Sequence, residues 1–573
     1  MDQTRERFGT RAILGLLLMF WRKGPKIAGT LLLGVVALLT ILLVIIDVLF
    51  TTWYNYFYDA LQMYDWRSAV NLLVIFVFMA AVAIVFAVYR YYVQSYLGLR
   101  WRLWMTNRIV TQWLSRWHYY YLEDISGHTD NPDQRIQEDI NMLANNSLAL
   151  MTGVLNSVVT IFAFVLVLWK LSGTITFHFG SWGVWHFHGY LVWVAVIYAI
   201  IGTSLTFRIG RPLPTLNFEQ QKREANFRFA AVDLRTHAEH VALYRGEIQQ
   251  RSSLLRIFDR VYENWYAIIL RQKLLLWFTA GYNQVSVLLP LVVALPNYFR
   301  KVFQLGGLIQ TLAAFGRIQD AFSFIVNSYT SIAEWRAVVD RLLTFLTHMD
   351  TLDAEAVKRN HFVFHDSPDE RIIAKNVTLV TPEGETLLKN INEEFEHGKY
   401  YWIRGDSGIG KSTFVRAIAG IWPFGSGDIC LPRNKKIMYL PQRPYMPLGT
   451  LKESLLFPDL ASAVSTEKLA ELLIACDLPR LVDDLERTIV WSEHLSPGEL
   501  QRIAIVRVML QQPDWAFLDE STSALDLAHE KRVYDLLKER VPGCSVISVG
   551  HRPSLEERHD VIMDFTPFIF RKP

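Results

Sequence analysis

Cysteine is nearly absent from this chain: three residues in 573, Cys430, Cys476 and Cys544, which rules out a disulfide-stapled secreted fold. All three fall in the C-terminal part, assigned below to the cytosol, and read as ordinary buried thiols. Charge is also scarce. Only 20% of residues are Asp, Glu, Lys or Arg, and a formal net charge of +3 gives no general case for nucleic-acid binding. A cleavable leader is not expected either, because the first apolar run is too long for a signal-peptide core and shows no small-residue cleavage pattern. What remains is a chain that is 51% hydrophobic, with those residues crowded into roughly the first 330 positions. A chain of 573 residues exceeds one ordinary core, so a membrane part followed by a soluble part is expected.

Residues 27–53 are almost uninterrupted apolar sequence. At about 1.5 Å per residue such a run crosses a hydrocarbon layer roughly 30 Å thick. Comparable runs at 70–92, 148–169, 190–207, 274–298 and 307–333 bring the expectation to about six spans, the last two carrying more polar residues. Basic residues set the orientation. Arg5, Arg7, Arg11, Arg22, Lys23 and Lys26 precede the first span, and residues 207–272 add on the order of ten more, which places both segments in the cytosol. The connection after the first span carries Arg67, and the one after the third little beyond Lys170; Arg300 and Lys301 are the exception. An even number of spans leaves both termini and the C-terminal domain cytoplasmic. The connections 94–147 and 207–272 are too long for turns and read as helices that prolong the spans toward the soluble domain.

Polar side chains interrupt the spans: Asn156 and Thr160 in the third, Asn283, Gln284 and Ser286 in the fifth, and Arg317, Gln319, Asp320 and Asn327 in the sixth. Such groups are costly in lipid and face a bundle interior or a water-filled path, which makes Asn156, Thr160, Asn283, Gln284, Arg317, Asp320 and Asn327 candidate cavity residues. The simpler reading is hydrogen bonding between helices, with Arg317 and Asp320 paired one turn apart. The external stretch 173–189 holds His178, His186 and His188 among Trp182, Trp185 and Phe187. A metal site is conceivable there, but an aromatic hairpin at the membrane interface explains the pattern better.

Past Phe345 the composition becomes that of a soluble α/β domain. The segment 350–370, charged and aperiodic, is the expected linker between a membrane domain at 1–349 and a nucleotide-binding domain at 371–573. Gly405-Asp406-Ser407-Gly408-Ile409-Gly410-Lys411-Ser412-Thr413 fits GxxxxGK[ST] directly after the strand-like Tyr400-Tyr401-Trp402-Ile403. Glycines let backbone N–H groups wrap the phosphates, and the helix opening near Lys411 adds a positive dipole end. Lys411 would meet the β- and γ-phosphates and Ser412 would ligate Mg2+. Trp515-Ala516-Phe517-Leu518-Asp519 reads as a buried strand ending in Asp519 and Glu520. The first acid suits the metal and the second suits a base that polarises water. A structural carboxylate pair is the plainer alternative. Leu495-Ser496-Pro497-Gly498-Glu499-Leu500-Gln501-Arg502 opens a helix, where Ser496 and the Gly498 N–H would reach a γ-phosphate. Gln442 precedes it and His551 follows; alone, His551 would read as a surface histidine.

Together these segments resemble the nucleotide-binding domain of ABC transporters: Walker A, the glutamine loop, the signature (here including Glu499), Walker B, a D-loop at Ser523-Ala524-Leu525-Asp526, and the switch histidine, in order over roughly residues 375–564. The resemblance implies that Gln442 senses Mg2+ and the membrane domain, that Glu520 is the general base, that His551 positions the γ-phosphate, and that Asp526 belongs to the nucleotide machinery. Two departures stand out. Pro497 replaces a signature glycine and removes one backbone N–H, and Thr381 stands where many relatives carry an adenine-stacking tyrosine.

Thr381-Pro382-Glu383-Gly384, Leu440-Pro441-Gln442-Arg443-Pro444-Tyr445-Met446 and Gly550-His551-Arg552-Pro553-Ser554-Leu555 resemble the peroxisomal fatty-acyl transporters, subfamily D. Asn131-Pro132-Asp133-Gln134-Arg135 and Glu239-His240-Val241-Ala242-Leu243-Tyr244-Arg245-Gly246 resemble the same group and the bacterial BacA/SbmA-like uptake proteins with a fused ATPase; no peroxisomal tripeptide signal stands at Arg571-Lys572-Pro573. The implied fold is an α-helical membrane domain of exporter type plus an α/β P-loop NTPase domain. One Walker A and one signature per chain imply a homodimer that binds ATP and Mg2+, lies in the bilayer of a bacterial inner membrane and moves a substrate, with no nucleic-acid partner. Peptides, cobalamin-like or other polar or amphipathic compounds lead as cargo. Fatty acids or fatty-acyl-CoA, or a membrane-tethered ATPase that regulates a partner without transporting, are the alternatives; direction stays open.

Overall fold

The computed structural model describes residues 8–122, 131–172, 174–178, 184–367, 369–459 and 464–570. Arg5, Arg7 and the terminal Arg571-Lys572-Pro573 lie outside these, as do the side chains of His178, His186 and Asn327. The chain divides into two compact units. The first holds Met1–Leu114 with Asp130–Thr347, and the second Ser115–Thr129 with His348–Pro573.

The first unit is helical. Helix α1 (Thr10–Lys23) buries Ile13, Leu16 and Phe20 on one stripe. Pro25 sits at the cap of α2 (Lys26–Gln62), where its missing N–H costs nothing. Helix α3 (Trp66–Leu114) runs 49 residues, and α4 (Ile140–Ser172) returns. Strands β1 (Thr174–His178) and β2 (Val184–His188) pair antiparallel, the hairpin expected from the aromatic stretch. Then come α5 (Tyr190–Gly210), α6 (Leu213–Thr236) and α7 (Glu247–Phe299). At 1.5 Å per residue α7 is about 80 Å long, more than twice a hydrocarbon layer. The described parts of the long connections are thus largely helical. The last elements are α8 (Leu305–Asn327) and α9 (Tyr329–Arg359).

Among the described residues five helices are long and apolar enough to cross a membrane: Ile27–Gln62, Trp66–Tyr120, Pro132–Ser172, Tyr190–Thr236 and Glu247–Phe299. The expected sixth run, 307–333, corresponds to α8 and the start of α9, and α8 does not reach that apolarity. Gln310, Arg317, Gln319 and Asp320 lower it, and the structure gives Gln310, Arg317 and Gln319 partners on other helices. Asn55 Nδ2 on α2 donates to Gln310 Oε1 at 2.6 Å, and the Gly306 N–H donates to Asp59 Oδ1 at 2.7 Å. Ser286 on α7 donates to Gln319. Hydrogen bonds of this kind join helices where apolar contact cannot. Tyr198 on α5 and Tyr282 on α7 stack at 4.3 Å and exchange hydroxyl-to-carbonyl bonds of 2.5 and 3.1 Å. Gly202 permits this approach, because a Cβ there would lie 2.2 Å from the Tyr282 ring.

The described residues of the second unit carry two large sheets and a two-stranded pairing of Gly449–Thr450 with Thr488–Ile489. The segment 350–370, expected as a linker, completes α9 and forms β3 (Asn360–Ser367). With β4 (Ile372–Val380), β5 (Thr386–Phe395) and β7 (Gly425–Pro432) it makes a four-stranded sheet in the order β3-β7-β4-β5. The other sheet is parallel throughout, built from β6 (Tyr400–Arg404), β8 (Ile437–Leu440), β9 (Trp515–Asp519), β10 (Ser545–Val549) and β11 (Val561–Asp564) in the order β11-β6-β10-β9-β8. Its central strands are buried on both faces, Trp515 to Leu518 and Ser545 to Val549 alike; the first is a continuous apolar run for that reason, and in the second the buried Ser545 and Ser548 have hydrogen-bond partners. Ile391, Phe395, Ile403, Phe414, Phe517 and Ile547 join the two sheets in one core.

Candidate functional site

Strand β6 ends at Arg404, and the chain turns through 405–410 before α10 (Lys411–Ile418) begins. Glycine suits the turn's backbone: Gly408 has φ +80° and Gly410, at the helix cap, φ +108°. Asp406, Ser407 and Gly408 are exposed at the tip. Lys411, 4% exposed, folds its ammonium back onto the carbonyls of Gly405 and Asp406 at 2.7 Å each. Burial lowers its pKa, with Glu520, Asp406 and Asp519 opposing. Ser412 Oγ donates to Asp519 Oδ1 at 2.7 Å, joining the helix start to the end of β9. Burial raises the Asp519 pKa, against the Ser412 hydrogen bond and Arg416. A hydroxyl and a carboxylate side by side are the hard oxygen donors that Mg2+ takes.

Glu520 follows in the left-handed region at φ +48°, a conformation that costs a non-glycine residue about 1–3 kcal/mol. Its N–H is anchored to the Val549 carbonyl at 2.9 Å. The carboxylate accepts from Gln442 Nε2 at 2.8 Å, and its other oxygen is 3.4 Å from His551 Nε2. His551 Nε2 is also 3.3 Å from Lys411 Nζ. Unprotonated, that nitrogen accepts from Lys411; protonated, it donates to Glu520. Lys411, Ser412, Asp519, Glu520, Gln442 and His551 therefore converge from four strand ends.

The remaining predicted residues take other places. Ser496 caps α11 (Pro497–Gln511), forming a reciprocal capping box with Glu499. Among the described residues no hydrogen bond joins Ser496, Gly498 or Glu499 to the 405–413 loop. Gly498 instead lies against the Ala524 carbonyl, which a Cβ would approach to 3.2 Å. Asp526 caps α12 (Leu527–Arg540), accepting from the His529 N–H at 2.8 Å. Thr381 closes a turn, its Oγ1 accepting from the Glu385 N–H at 3.2 Å. In the helical unit Asn283, Gln284, Arg317 and Asp320 are exposed, Asn156 is partly covered and Thr160 is buried. Arg317 pairs with Asp47 at 3.0 Å, so the expected Arg317–Asp320 ion pair gives way to a bond between α2 and α8.

Sequence reasoning passed over three residues. Gln501 donates to the Glu520 carbonyl at 3.2 Å and to Ser523 Oγ at 3.2 Å, while its own oxygen accepts from the Ala524 N–H at 2.8 Å. Arg552 grips the Leu525 and Ser523 carbonyls at 2.5 Å each. Glu530, 2% exposed, accepts from Thr522 at 3.0 Å and Ser554 at 2.5 Å. Gln501 and Arg552 lay inside quoted motifs, but a one-dimensional pattern does not say which side chain faces ligand and which faces backbone.

The chain matches, over residues 23–299, the family described as ABC transporter transmembrane region 2, and over 388–523 the family described as ABC transporter. It is 31% identical to the inner membrane ABC transporter ATP-binding protein YddA of Escherichia coli over 96% of this chain and 97% of that protein. Identity is 29% to ABC transporter D family member 2, chloroplastic, of Arabidopsis thaliana, over 96% of this chain and 85% of that protein. It is 26% to the lysosomal cobalamin transporter ABCD4 of Mus musculus, over 82% and 80%.

Proposed function

Because the chain belongs to the ABC transporters, as a half-transporter with one membrane region and one ATP-hydrolysing domain, we propose that two identical copies pair in a bacterial inner membrane and use ATP to move a polar or amphipathic solute, of peptide or cobalamin-like character. The observation that carries this reading is the convergence of Lys411, the Ser412–Asp519 pair and the Gln442–Glu520–His551 group at one edge of the parallel sheet. Polar side chains exposed on α7 and α8, Asn283, Gln284, Arg317 and Asp320, favour a hydrated path through the bundle over lipid contact. The E. coli relative is named an inner membrane protein and the mouse relative a cobalamin transporter, which supports the location and the cargo class. The basic residues of 207–272 support a cytoplasmic position for the termini and the ATPase domain.

In this mechanism the 405–413 loop cradles the phosphates and Lys411 exchanges its carbonyl partners for the β- and γ-phosphate oxygens. Ser412 and Asp519, with Gln442 beside them, would hold Mg2+, and the ion would supply positive charge against the phosphate chain. Glu520 accepts a proton from water as the water oxygen bonds the γ-phosphorus and the bridging oxygen leaves with ADP. Gln442 and His551 hold the two carboxylate oxygens so that the base faces that water. Each ATP lies between this loop in one copy and the Ser496 helix of the other; its hydrolysis releases the pair and returns the spans to their starting arrangement.

The test is reconstitution in liposomes with peptides, corrinoids and acyl chains offered in turn. ATP-dependent movement of a peptide or corrinoid, abolished by Glu520→Gln, is the expected result. Movement of acyl chains alone would shift the cargo class, and ATPase activity without movement of any solute would make the chain a regulator. Near-normal turnover by Glu520→Gln would remove the assigned base.

A further inference from the structure

The start of α11 is short of donors. Pro497, at the first helical position, has no N–H. The Glu499 N–H is bonded to Ser496 Oγ at 3.4 Å, and the Ser496 N–H and hydroxyl both go to Glu499 Oε2 at 2.9 Å. Among the described residues only the Gly498 N–H of this first turn is left without an acceptor. The same turn carries the Glu499 carboxylate, whose charge repels any phosphate that approaches. Arg480 answers both deficits. Its Nε and Nη2 meet Glu499 Oε1 at 2.9 and 2.5 Å, and with burial opposing, the Ser496 and Arg480 bonds hold the Glu499 carboxyl below its usual range. The Arg480 side chain is 60% exposed against 14% for Glu499. Its Nη1 has no acceptor among the described residues, so a guanidinium braced on one edge keeps donors free on the other. The brace is fixed from below, since the neighbouring Leu481 is 1% exposed in the core.

We propose that Arg480 contacts the γ-phosphate of the ATP bound to the partner copy, supplying the donor that Pro497 removes from the helix start. The inference rests on the paired arrangement above. A role limited to bracing Glu499 would make Arg480 indifferent to what stands at position 497, whereas a shared task with the missing N–H couples the two.

Four full-length proteins in lipid nanodiscs separate these readings: Arg480→Ala, Arg480→Lys, Pro497→Gly and the double variant Arg480→Ala/Pro497→Gly. Arg480→Ala is expected to raise the ATP concentration for half-maximal turnover tenfold or more, to leave ADP affinity within twofold and to leave the thermal midpoint unchanged. Arg480→Lys should recover part of the loss. In the Pro497→Gly background the same Ala substitution should cost threefold or less. An equal effect in both backgrounds, or a parallel loss of ADP affinity, overturns the proposal. Glu520→Gln distinguishes the two levels. If that variant binds ATP without the two copies closing, the paired reading fails and this inference with it. If it closes, and the Glu520→Gln/Arg480→Ala protein closes at the same ATP concentration, the inference alone falls.

Discussion

At the ends of β10 and β11, a chain of hydrogen bonds runs through His559. Tyr534 OH and Ser548 Oγ lie 2.9 Å apart, Ser548 Oγ is 2.8 Å from His559 Nε2, and His559 Nδ1 is 2.7 Å from the Leu555 carbonyl. A carbonyl accepts only, so Nδ1 carries the proton and Nε2 accepts from Ser548. Burial lowers the His559 pKa to about 4. The unfolded ring titrates near 6.5, so below that pH the unfolded state gains a proton that the folded state refuses. Stability from this site is complete above about pH 6.5 and is lost as pH falls toward about 4, by up to about 3 kcal/mol. Thermal unfolding followed by tryptophan fluorescence should show that loss, and His559→Gln should flatten the slope; an unchanged slope would place the acid sensitivity elsewhere. Other residues answer to the same local logic. Glu520 tolerates its φ of +48° because Val549, Gln442 and His551 hold it from three sides.

Among elements, α2 and α8 are joined along their length by Asn55–Gln310, Asp59–Gly306 and Asp47–Arg317. The ion pair is partly exposed, 49% for Arg317 and 35% for Asp47, so its worth is about 1 kcal/mol in water-like surroundings and more where lipid or a narrow path excludes water. Asp47→Asn leaves Arg317 on α8 charged and without its carboxylate on α2. It is expected to lower the thermal midpoint in detergent and the yield of folded protein, while Asp47→Asn with Arg317→Gln recovers part of both. A strictly additive double variant would show the pair to be uncoupled. Apolar length marked the first five spans in the sequence, whereas α8 carries polar groups whose partners lie 33 to 270 positions away. The same holds for Arg317, whose nearest acid in sequence, Asp320, is not the one it pairs with.

For the molecule as a whole, the proposed pairing of two copies has a direct consequence. If each ATP lies between the Lys411 loop of one copy and the Ser496 helix of the other, then Lys411→Ala and Ser496→Arg, each inactive alone, complement one another. In a mixed pair both defects fall in one site and leave the second intact. Co-reconstituted chains, isolated by two different tags, should regain up to about half of the normal ATPase rate, the share of one site in two. No recovery in the mixed pair would mean that each chain encloses its own nucleotide.

The phosphate loop, the acid pair after β9, the histidine and glutamine, and the long apolar helices were all legible in the sequence, because each is a local pattern: a fixed spacing, a strand-length apolar run, a span-length apolar run. The resemblance of motifs in order added the family. Tertiary structure decided what spacing does not encode. It turned 350–370 into helix and strand, gave Asp526 and Ser496 their roles as helix caps, matched Arg317 with Asp47, and set Arg480 beside Glu499. Those outcomes depend on which distant groups the fold brings within hydrogen-bond reach, and a side chain's partner is chosen by distance in space rather than distance along the chain.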